Sequence, residues 1–195
     1  MKIVRPISNQ PLPGHARCVY KGKIFDVYQW QQEMYDGTTK TFEKLKRPDT
    51  VIVFPVLDDG SILLTEQEQP NKAPFIGACG GRVDEDEDIL EGAKREFLEE
   101  TGHEASEYTL WKSVHPASKI DWVVYFFIAK GCKKISDQSL DGGEKIELKK
   151  VSFDELLQIG RNPKFMEKEI IPDFYEALLD KEKYAELKQL FSPLT

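Results

Sequence analysis

The chain has 195 residues, of which 34 are acidic and 27 are basic, so its formal net charge at pH 7 is −7. This length suits one domain or one domain with a modest extension, and the acidity argues against binding to nucleic acid or to a membrane surface, because both need a positive field. Apolar residues make up 40% of the sequence, which is enough to bury a core. No apolar run reaches the roughly 20 residues of a membrane span, the N-terminus lacks a secretory pattern, and the three cysteines are scattered as in proteins of reducing compartments. We therefore expect a cytoplasmic globular protein.

The first 47 residues predict a small antiparallel β domain. Residues 1–16 contain several prolines and little periodicity, which predicts an arm without regular structure. Residues 17–35 alternate in places between apolar and polar side chains, and Asp36-Gly37 is a hairpin turn signal. A return strand is predicted from Thr38 to Lys46.

Residues 48–195 predict a second domain in which strands and helices mix. Two apolar runs, 51–57 and 61–65, indicate a buried hairpin. Three glycines within Gly77–Gly81 predict a tight loop. Apolar residues at helical spacing predict a helix over 88–101, which Gly102 ends.

The second half of this domain continues the mixture. Strands are predicted over 107–114, 121–130 and 145–151, and Ser152 with Glu155 forms a capping box for a helix that ends near Gly160. The last thirty residues indicate one or two amphipathic helices. Because the strands and helices do not alternate in a regular βαβ order, the predicted fold class is an α/β sandwich with a mixed sheet.

The segment from Gly81 to Gly102 carries the candidate site. On the predicted helix, Glu96 and Glu100 lie on one face with Glu99 beside them. Three carboxylates this close repel one another, and a divalent cation removes the repulsion. Oxygen ligands without His or Cys favour Mg²⁺, with Mn²⁺ as the alternative. An exposed acidic helix face is the simpler explanation of the glutamates alone, but two glycines, four glutamates and an arginine at fixed spacing across 22 positions make coincidence remote.

This segment resembles the Nudix box, Gly-x5-Glu-x7-Arg-Glu-U-x-Glu-Glu-x-Gly-U, in which U is a bulky apolar residue. The matching residues are Gly81, Glu87, Arg95, Glu96, Phe97, Glu99, Glu100 and Gly102. The last position differs, since His103 stands where Ile, Leu or Val is usual, but that position packs rather than reacts. The resemblance implies a Nudix α/β/α sandwich and the hydrolysis of a nucleoside diphosphate linked to another group.

The resemblance also implies a role for each matching polar residue. The implied metal ligands are Glu96, Glu99, Glu100 and the backbone carbonyl of Gly80. Arg95 and Glu87 would orient these carboxylates rather than contact substrate. Metal ions neutralise the diphosphate and acidify the attacking water, and a glutamate must take the proton of that water. Glu99 and Glu100 are candidates for this base.

The β unit ahead of the box resembles the N-terminal domain of ADP-ribose and ADP-sugar pyrophosphatases, a branch of the family. The similarity lies in Tyr20–Phe25, Asp36-Gly37 and Phe42–Pro48, followed by the strand over 51–57. It implies a homodimer in which the N-terminal sheets form the interface and both chains shape the substrate pocket. The implied substrate is ADP-ribose, which is cleaved to AMP and ribose 5-phosphate.

In this branch an aromatic side chain of the N-terminal sheet stacks on the adenine. The candidates are Trp30, Tyr28 and Phe25, and ordinary sheet packing is the alternative for each of them. Arg47 and Arg82 are further candidates for binding substrate, although Arg47 could equally be a solvated strand end.

The branch also places a glutamate on the loop after the long strand as general base. In the loop that begins with Asp141-Gly142-Gly143, Glu144 is the candidate and Glu147 is the alternative. A merely solvated carboxylate is the competing explanation for both.

Three departures from the branch leave the substrate open. Gln69 stands where an arginine that helps to hold the diphosphate is usual, although Gln69 remains a candidate substrate-binding residue. Pro116 falls two residues short of the expected proline, and the loop His115–Trp122 is unusual. His115 and Trp122 could line a sugar pocket, with packing as the alternative. One alternative is therefore a Nudix pyrophosphatase for GDP-mannose, another nucleotide sugar or a modified nucleoside triphosphate. A second alternative is a non-catalytic ligand-sensing module, but the complete set of glutamates argues against it.

Overall fold

The computed structural model describes residues 3–140 and 142–194. The strands are Arg17–Lys21 (β1), Asp26–Glu33 (β2), Thr39–Lys46 (β3), Thr50–Val56 (β4), Ile62–Gln69 (β5), Lys72–Gly77 (β6), Cys79–Arg82 (β7), His103–Val114 (β8), Ile120–Asp121 (β9), Val124–Lys134 (β10) and Lys145–Val151 (β11). The helices are Ile89–Thr101 (α1), Phe153–Ile159 (α2), Ile171–Leu179 (α3) and Lys181–Leu190 (α4), and one 3₁₀ turn covers Lys168–Ile170. Within the described ranges, no helix is both long and apolar enough to cross a membrane.

The larger sheet is mixed, as the sequence predicts. Its strand order is β11-β5-β4-β10-β8, with β6 paired to β5 and β7 paired to β4. Strands β4 and β10 run parallel over seven residue pairs, from Thr50–Val124 to Val56–Lys130. The other pairs in this sheet are antiparallel.

Alternate residues of the two central strands face two separate cores. Val53 and Tyr125 pack on one face with Phe97 of α1, whereas Phe54 and Phe126 pack on the other face with α2, α3 and α4. Burying each such phenylalanine contributes about 1.5–3 kcal/mol. Helices on both faces of one sheet make an α/β/α sandwich, and this confirms the predicted fold class.

The helix boundaries follow local signals that the sequence displays. Asp88 caps α1 by accepting the Leu90 N–H, and Gly102 ends this helix in a left-handed conformation with φ 69°. The capping box of Ser152 and Glu155 at α2 is present in both directions. Two helices, α3 and α4, occupy the C-terminal region.

The N-terminal sheet has the order β1-β2-β3-β9 and is antiparallel through its first three strands. The fourth strand comes from much later in the chain, because β9 pairs in parallel with Leu45 and Lys46. The single strand predicted over 121–130 is therefore wrong at its beginning: β9 belongs to the N-terminal sheet and β10, in the central sheet, starts at Val124. Arg5 strengthens this junction with ion pairs to Asp49 (2.8 Å) and Asp121 (3.1 Å).

The tight loop predicted over Gly77–Gly81 is wrong. Strand β6 runs to Gly77 and β7 begins at Cys79, so that Ala78 is the sole residue between two strands. Gly80 and Gly81 allow neighbouring atoms to approach the backbone closely and do not form a turn. A Cβ on Gly80, where φ is 148°, would lie 2.1 Å from the Val51 carbonyl oxygen, and one on Gly81 would lie 2.5 Å from Glu96 Oε2.

Candidate active site

A cleft of about 450 Å³ lies between β7, α1 and the loop that leads into β11. The sequence-predicted site residues that it brings together are Gly80, Arg82, Arg95, Glu96, Glu99, Glu100 and Glu144. The polar atoms of this cleft come mainly from carboxylates, so it suits a cation or a ligand that carries one.

Helix α1 presents its glutamates to the cleft because its opposite side is anchored in the core. Ala93 and Phe97 are fully buried against the sheet. Glu100 is only 6% exposed, and its Oε2 accepts the backbone N–H of Gly80 at 2.8 Å. This hydrogen bond joins the helix to β7 at the floor of the cleft.

Arg95 ties the carboxylates of the cleft to one another. Its Nη1 donates to Glu96 Oε1 at 2.9 Å and to Glu99 Oε2 at 3.0 Å, and its Nη2 donates to the carbonyl oxygen of Arg82 at 3.0 Å. Glu87 accepts two further hydrogen bonds from the same guanidinium. Charge-assisted bonds of this kind hold side chains in defined positions.

Burial and mutual repulsion perturb the protonation of these carboxylates. The pKa of Glu100 is raised to about 8, mainly by burial and to a smaller extent by the negative charges of Glu96 and Glu144. Burial also raises the pKa of Glu96. The hydrogen bonds from Arg95 lower the pKa of Glu87. A cation bound among these carboxyl groups would favour their ionised forms and relieve their mutual repulsion.

The residues present fit a divalent cation by donor type. Glu96 Oε2, Glu99 Oε1 and Glu100 Oε1 receive no hydrogen bond from any described residue, so each carboxylate keeps one oxygen available. Hard oxygen donors of this kind are what Mg²⁺ and Mn²⁺ prefer. With the side chains as they stand, no group of three His, Cys, Asp or Glu residues within 3–140 and 142–194 is placed to hold a metal ion. Side-chain rotations that bring the free oxygens of these glutamates closer together would complete such a site.

The two candidate bases lie in different cavities. Glu144 lines the acidic cleft, and its charge raises the pKa of both Glu96 and Glu100. Glu147 lines a separate cavity of about 230 Å³ between β5, β6 and β11. Asp141, at the start of the predicted loop, lies outside the described residues.

The aromatic candidates of the N-terminal sheet differ in exposure. Trp30 is 6% exposed, its ring centroid is 5.9 Å from that of Phe42, and its indole N–H donates to Gln32. Tyr28 is half-buried, with the ammonium of Lys46 6.0 Å from its ring centroid. Within one chain, Tyr28 therefore keeps more surface for a ligand than Trp30.

Arg47 makes cation–π contacts with two aromatic rings. Its guanidinium carbon lies 4.5 Å from the ring centroid of Trp122 and 5.7 Å from that of Phe25. Its Nε is buried without a hydrogen-bond partner among the described residues, and burial lowers the pKa of Arg47. His115 hydrogen-bonds with the carbonyl oxygens of Trp122 (3.1 Å) and Pro6 (3.2 Å), so the loop 115–122 packs against the N-terminal arm.

Arg82 and Gln69 differ in their position relative to the acidic cleft. Arg82 lines the cleft with 55% of its side chain exposed and pairs with Asp84 at 3.5 Å. Gln69 ends β5 outside the cleft, where its Oε1 is 3.5 Å from Lys72 Nζ. The structure brings Arg82 to the carboxylates and leaves Gln69 apart from them.

The sequence interpretation missed two groups that support the cleft. The side-chain amide of Gln138 donates to the Glu100 carbonyl at 2.6 Å, and the N–H of Ser139 donates to the Glu99 carbonyl at 2.8 Å. These bonds fasten the loop that carries Glu144 to the end of α1. Glu167 is buried beneath β6 and β7, but Lys164, Lys168 and Glu169 lie in the same segment, so nothing in the sequence signalled that this carboxyl is buried.

The protein is an α/β/α sandwich with an acidic cleft at the end of one helix, and comparison with known proteins gives its family. The model of the NUDIX domain matches residues 46–174. The chain therefore belongs to the Nudix family, and it is a Nudix hydrolase, which confirms the sequence prediction.

Several proteins are similar to this chain at modest identity. The ADP-ribose pyrophosphatase of Bacillus subtilis (strain 168) is 26% identical over 72% of this chain and 78% of its own length. The methanol dehydrogenase activator of Bacillus methanolicus is 27% identical over 72% and 77%. The ADP compounds hydrolase NudE of Escherichia coli (strain K12) is 26% identical over 74% and 77%. A crystal structure of an ADP compounds hydrolase matches with a TM-score of 0.70 at 19% identity, over 93% of this chain and 98% of that one, which shows the shared fold.

Proposed function

We propose that this chain hydrolyses the diphosphate of a nucleoside-diphosphate sugar, and that its substrate is ADP-ribose, cleaved to AMP and ribose 5-phosphate. The observation that carries the proposal is the position of Glu144, which shares one cleft with the three box glutamates although 44 residues separate it from Glu100. The similarity to an ADP-ribose pyrophosphatase and to an ADP compounds hydrolase supports the substrate class.

The metal site of this proposal is formed by Glu96, Glu99, Glu100 and the Gly80 carbonyl. Mg²⁺ or Mn²⁺ bound there supplies charge neutralisation for the diphosphate and a more acidic water. Glu100 keeps its Oε2 on the Gly80 N–H, so the free Oε1 is the atom that it offers. Arg95 Nη1 holds Glu96 and Glu99 next to each other, and each of these carboxylates keeps one oxygen without a hydrogen bond from a described residue.

Glu144 is the proposed general base. It stands at the end of a loop, half-buried and in the field of Glu96 and Glu100, so a proton taken from water moves toward a region of negative charge. The bonds of Gln138 and Ser139 to the end of α1 keep its loop against the cleft. Glu99 and Glu100 remain the alternative bases within the box.

Arg82 and Arg47 are the proposed phosphate-binding arginines. Arg82 has an exposed guanidinium at the cleft, and its weak pair with Asp84 leaves donors available. The guanidinium of Arg47 lies near the rings of Phe25 and Trp122, and its buried Nε has no partner among the described residues. Tyr28 is the proposed adenine-stacking residue, since it is less buried than Trp30.

The two parts of the chain have different roles in the proposed function. Residues 1–47 supply dimerisation and part of the pocket, and residues 48–195 supply hydrolysis. The N-terminal β unit exposes several apolar side chains, among them Val19 and Tyr20 of β1 and Ile24 in the turn that follows, which a second copy of the chain would cover. Light scattering tests the homodimer, and a monomer would remove the shared pocket from the proposal.

The test of the whole proposal is a substrate panel. Purified protein is incubated with Mg²⁺ and ADP-ribose, ADP-glucose, GDP-mannose or 8-oxo-dGTP, and the products are separated by chromatography. We expect AMP, chiefly from ADP-ribose, and loss of that product when EDTA replaces Mg²⁺. GMP from GDP-mannose, or no product from the four compounds, would overturn the substrate assignment.

A further inference from the structure

The peptide unit between Gly77 and Ala78 lies where the chain changes its partner strand. Strand β6 pairs with β5 up to Gly77, and β7 pairs with β4 from Cys79 onward. Ala78 belongs to neither pairing, and it is 3% exposed. The carbonyl of Gly77 and the N–H of Ala78, which form this peptide unit, therefore need hydrogen-bond partners other than a neighbouring strand. A buried polar group without a partner costs about 1–3 kcal/mol.

Two side chains supply those partners. The Thr65 hydroxyl donates to the Gly77 carbonyl oxygen at 3.0 Å, and Glu167 Oε1 accepts the Ala78 N–H at 3.2 Å. Thr65 is itself fixed by the side-chain amide of Gln67, which donates to its oxygen at 2.9 Å. Both polar atoms of one buried peptide are thus held, the carbonyl by Thr65 and the N–H by Glu167.

Glu167 reaches this peptide because its own segment lies along the outer edge of β6. The Ile76 N–H donates to the Lys164 carbonyl and the Met166 N–H donates to the Ile76 carbonyl, both at 2.9 Å. The Glu167 carboxyl extends this row of hydrogen bonds along β6 by accepting the N–H of Ala78. Gly77 leaves the space, since a Cβ there would lie 2.7 Å from Glu167 Oε1.

The held peptide is two residues before Gly80, which meets the active-site helix. The Gly80 N–H donates to Glu100 Oε2 at 2.8 Å, and the Gly80 carbonyl is the proposed backbone ligand of the metal. From these contacts we infer that Glu167 is a positioning residue of the active site, which sets the path of β7 and hence the placement of Gly80 against Glu100. The inference rests on the proposed function, in which the Gly80 carbonyl is a ligand of the metal.

Glu167 performs this role as a hydrogen-bond acceptor. Its side chain is nine-tenths buried, and Oε2 has no hydrogen-bond partner among the described residues, so Oε1 on Ala78 is the contact that matters. Burial raises the pKa of Glu167 to about 8, so the group is mainly uncharged at neutral pH. A neutral amide should therefore replace it.

The experiment compares Glu167→Met with Glu167→Gln. The two replacements are close in size, but only the glutamine can accept the Ala78 N–H. We measure kcat for ADP-ribose at saturating Mg²⁺, and separately the affinity for Mn²⁺ by electron paramagnetic resonance of the free ion. For Glu167→Met we expect both to fall about tenfold or more, the range for residues that support metal ligands, while Glu167→Gln stays close to the unmodified protein. Phe165→Leu is the matched control for packing loss, since Phe165 is buried in the same segment, and it should lower Tm but leave Mn²⁺ affinity unchanged.

Three results would overturn the inference: unchanged Mn²⁺ affinity in Glu167→Met, equal losses in Glu167→Gln, or the same loss in Phe165→Leu. If Glu167→Met does not fold, Gly77→Ala replaces it, because its Cβ displaces the carboxyl from Ala78 and should weaken Mn²⁺ binding in the same way. Mn²⁺ affinity does not depend on the substrate, so failure of the unmodified protein to hydrolyse ADP-ribose counts against the proposed function and not against the role of Glu167.

Discussion

Glu87 and Arg95 are joined by two parallel hydrogen bonds, from Nε to Oε1 at 2.9 Å and from Nη2 to Oε2 at 3.0 Å. Glu87 precedes α1 and Arg95 lies within it, so the pair fixes the guanidinium plane relative to the start of the helix. The remaining nitrogen, Nη1, then points at Glu96 and Glu99. One two-point contact thus determines how two proposed metal ligands are presented.

This geometry predicts that Arg95→Lys will be a damaging substitution. An ammonium group cannot donate to Glu87 in two places and also reach both other glutamates. We expect kcat to fall about tenfold or more, with a higher Mg²⁺ concentration needed for half-maximal rate. A Mg²⁺ titration of the rate measures both quantities. Lys94→Ala is the control, because Lys94 is exposed on the same helix and pairs with exposed Glu91, and equal behaviour of the two variants would contradict the orienting role.

Glu100→Gln should abolish most turnover while leaving the fold intact. The amide oxygen can still accept the Gly80 N–H, but the charge that would hold a cation is lost. We expect a loss of about a hundredfold or more in kcat, at the upper end of what changes around a metal site produce. Steady-state rates and circular dichroism test the two halves of this prediction. Glu91→Gln, on an exposed turn of α1, is the control, and normal turnover in Glu100→Gln would exclude Glu100 as a ligand.

Glu144→Gln and Glu147→Gln should separate the two candidate bases. Glu144 lines the acidic cleft, whereas Glu147 faces the cavity between β5, β6 and β11. Loss of a general base costs about 10²–10⁴ in rate, so we expect that loss in Glu144→Gln and an unchanged rate in Glu147→Gln. The pH profile of kcat/KM in the two variants is the measurement. The assignment fails if Glu144→Gln keeps both the rate and the acidic limb of the profile.

Signals that act over a few residues predicted the helices well. The capping box of α2 and the C-terminal Gly102 of α1 were both visible in the sequence, because capping depends on side chains within four positions. The grouping of Glu96, Glu99 and Glu100 followed from helical periodicity in the same way.

The features that escaped prediction depend on contacts between distant parts of the chain. Strand β9 joins the N-terminal sheet through Leu45 and Ile120, a pairing that no local pattern encodes. The glycines of β7 were mistaken for a turn, because the sequence does not show that Val51 and Glu96 crowd them. Glu167 supports a peptide 89 residues earlier, and nothing in its own segment indicates that partner.

The burial of Glu167 predicts how the stability of the metal-free protein changes with pH. Its folded pKa of about 8 lies above the ordinary value of 4.5, so the folded state binds a proton that the unfolded state has released between these pH values. The contribution of Glu167 is therefore complete below about pH 4.5 and is lost as the pH rises through about 8.

We expect Tm in EDTA to fall from pH 5 to pH 8.5, because the proton that the folded state holds on Glu167 makes the free energy of unfolding fall by as much as about 1.4 kcal/mol for each pH unit. Glu100 acts in the same direction, and the carboxylates whose pKa is lowered, such as Glu87, contribute a constant amount over this range. Scanning calorimetry at several pH values, with Glu167→Gln beside the unmodified protein, isolates the Glu167 contribution because the amide does not titrate. The variant should show the shallower decline, and parallel curves would mean that Glu167 titrates near its ordinary pKa in the folded protein.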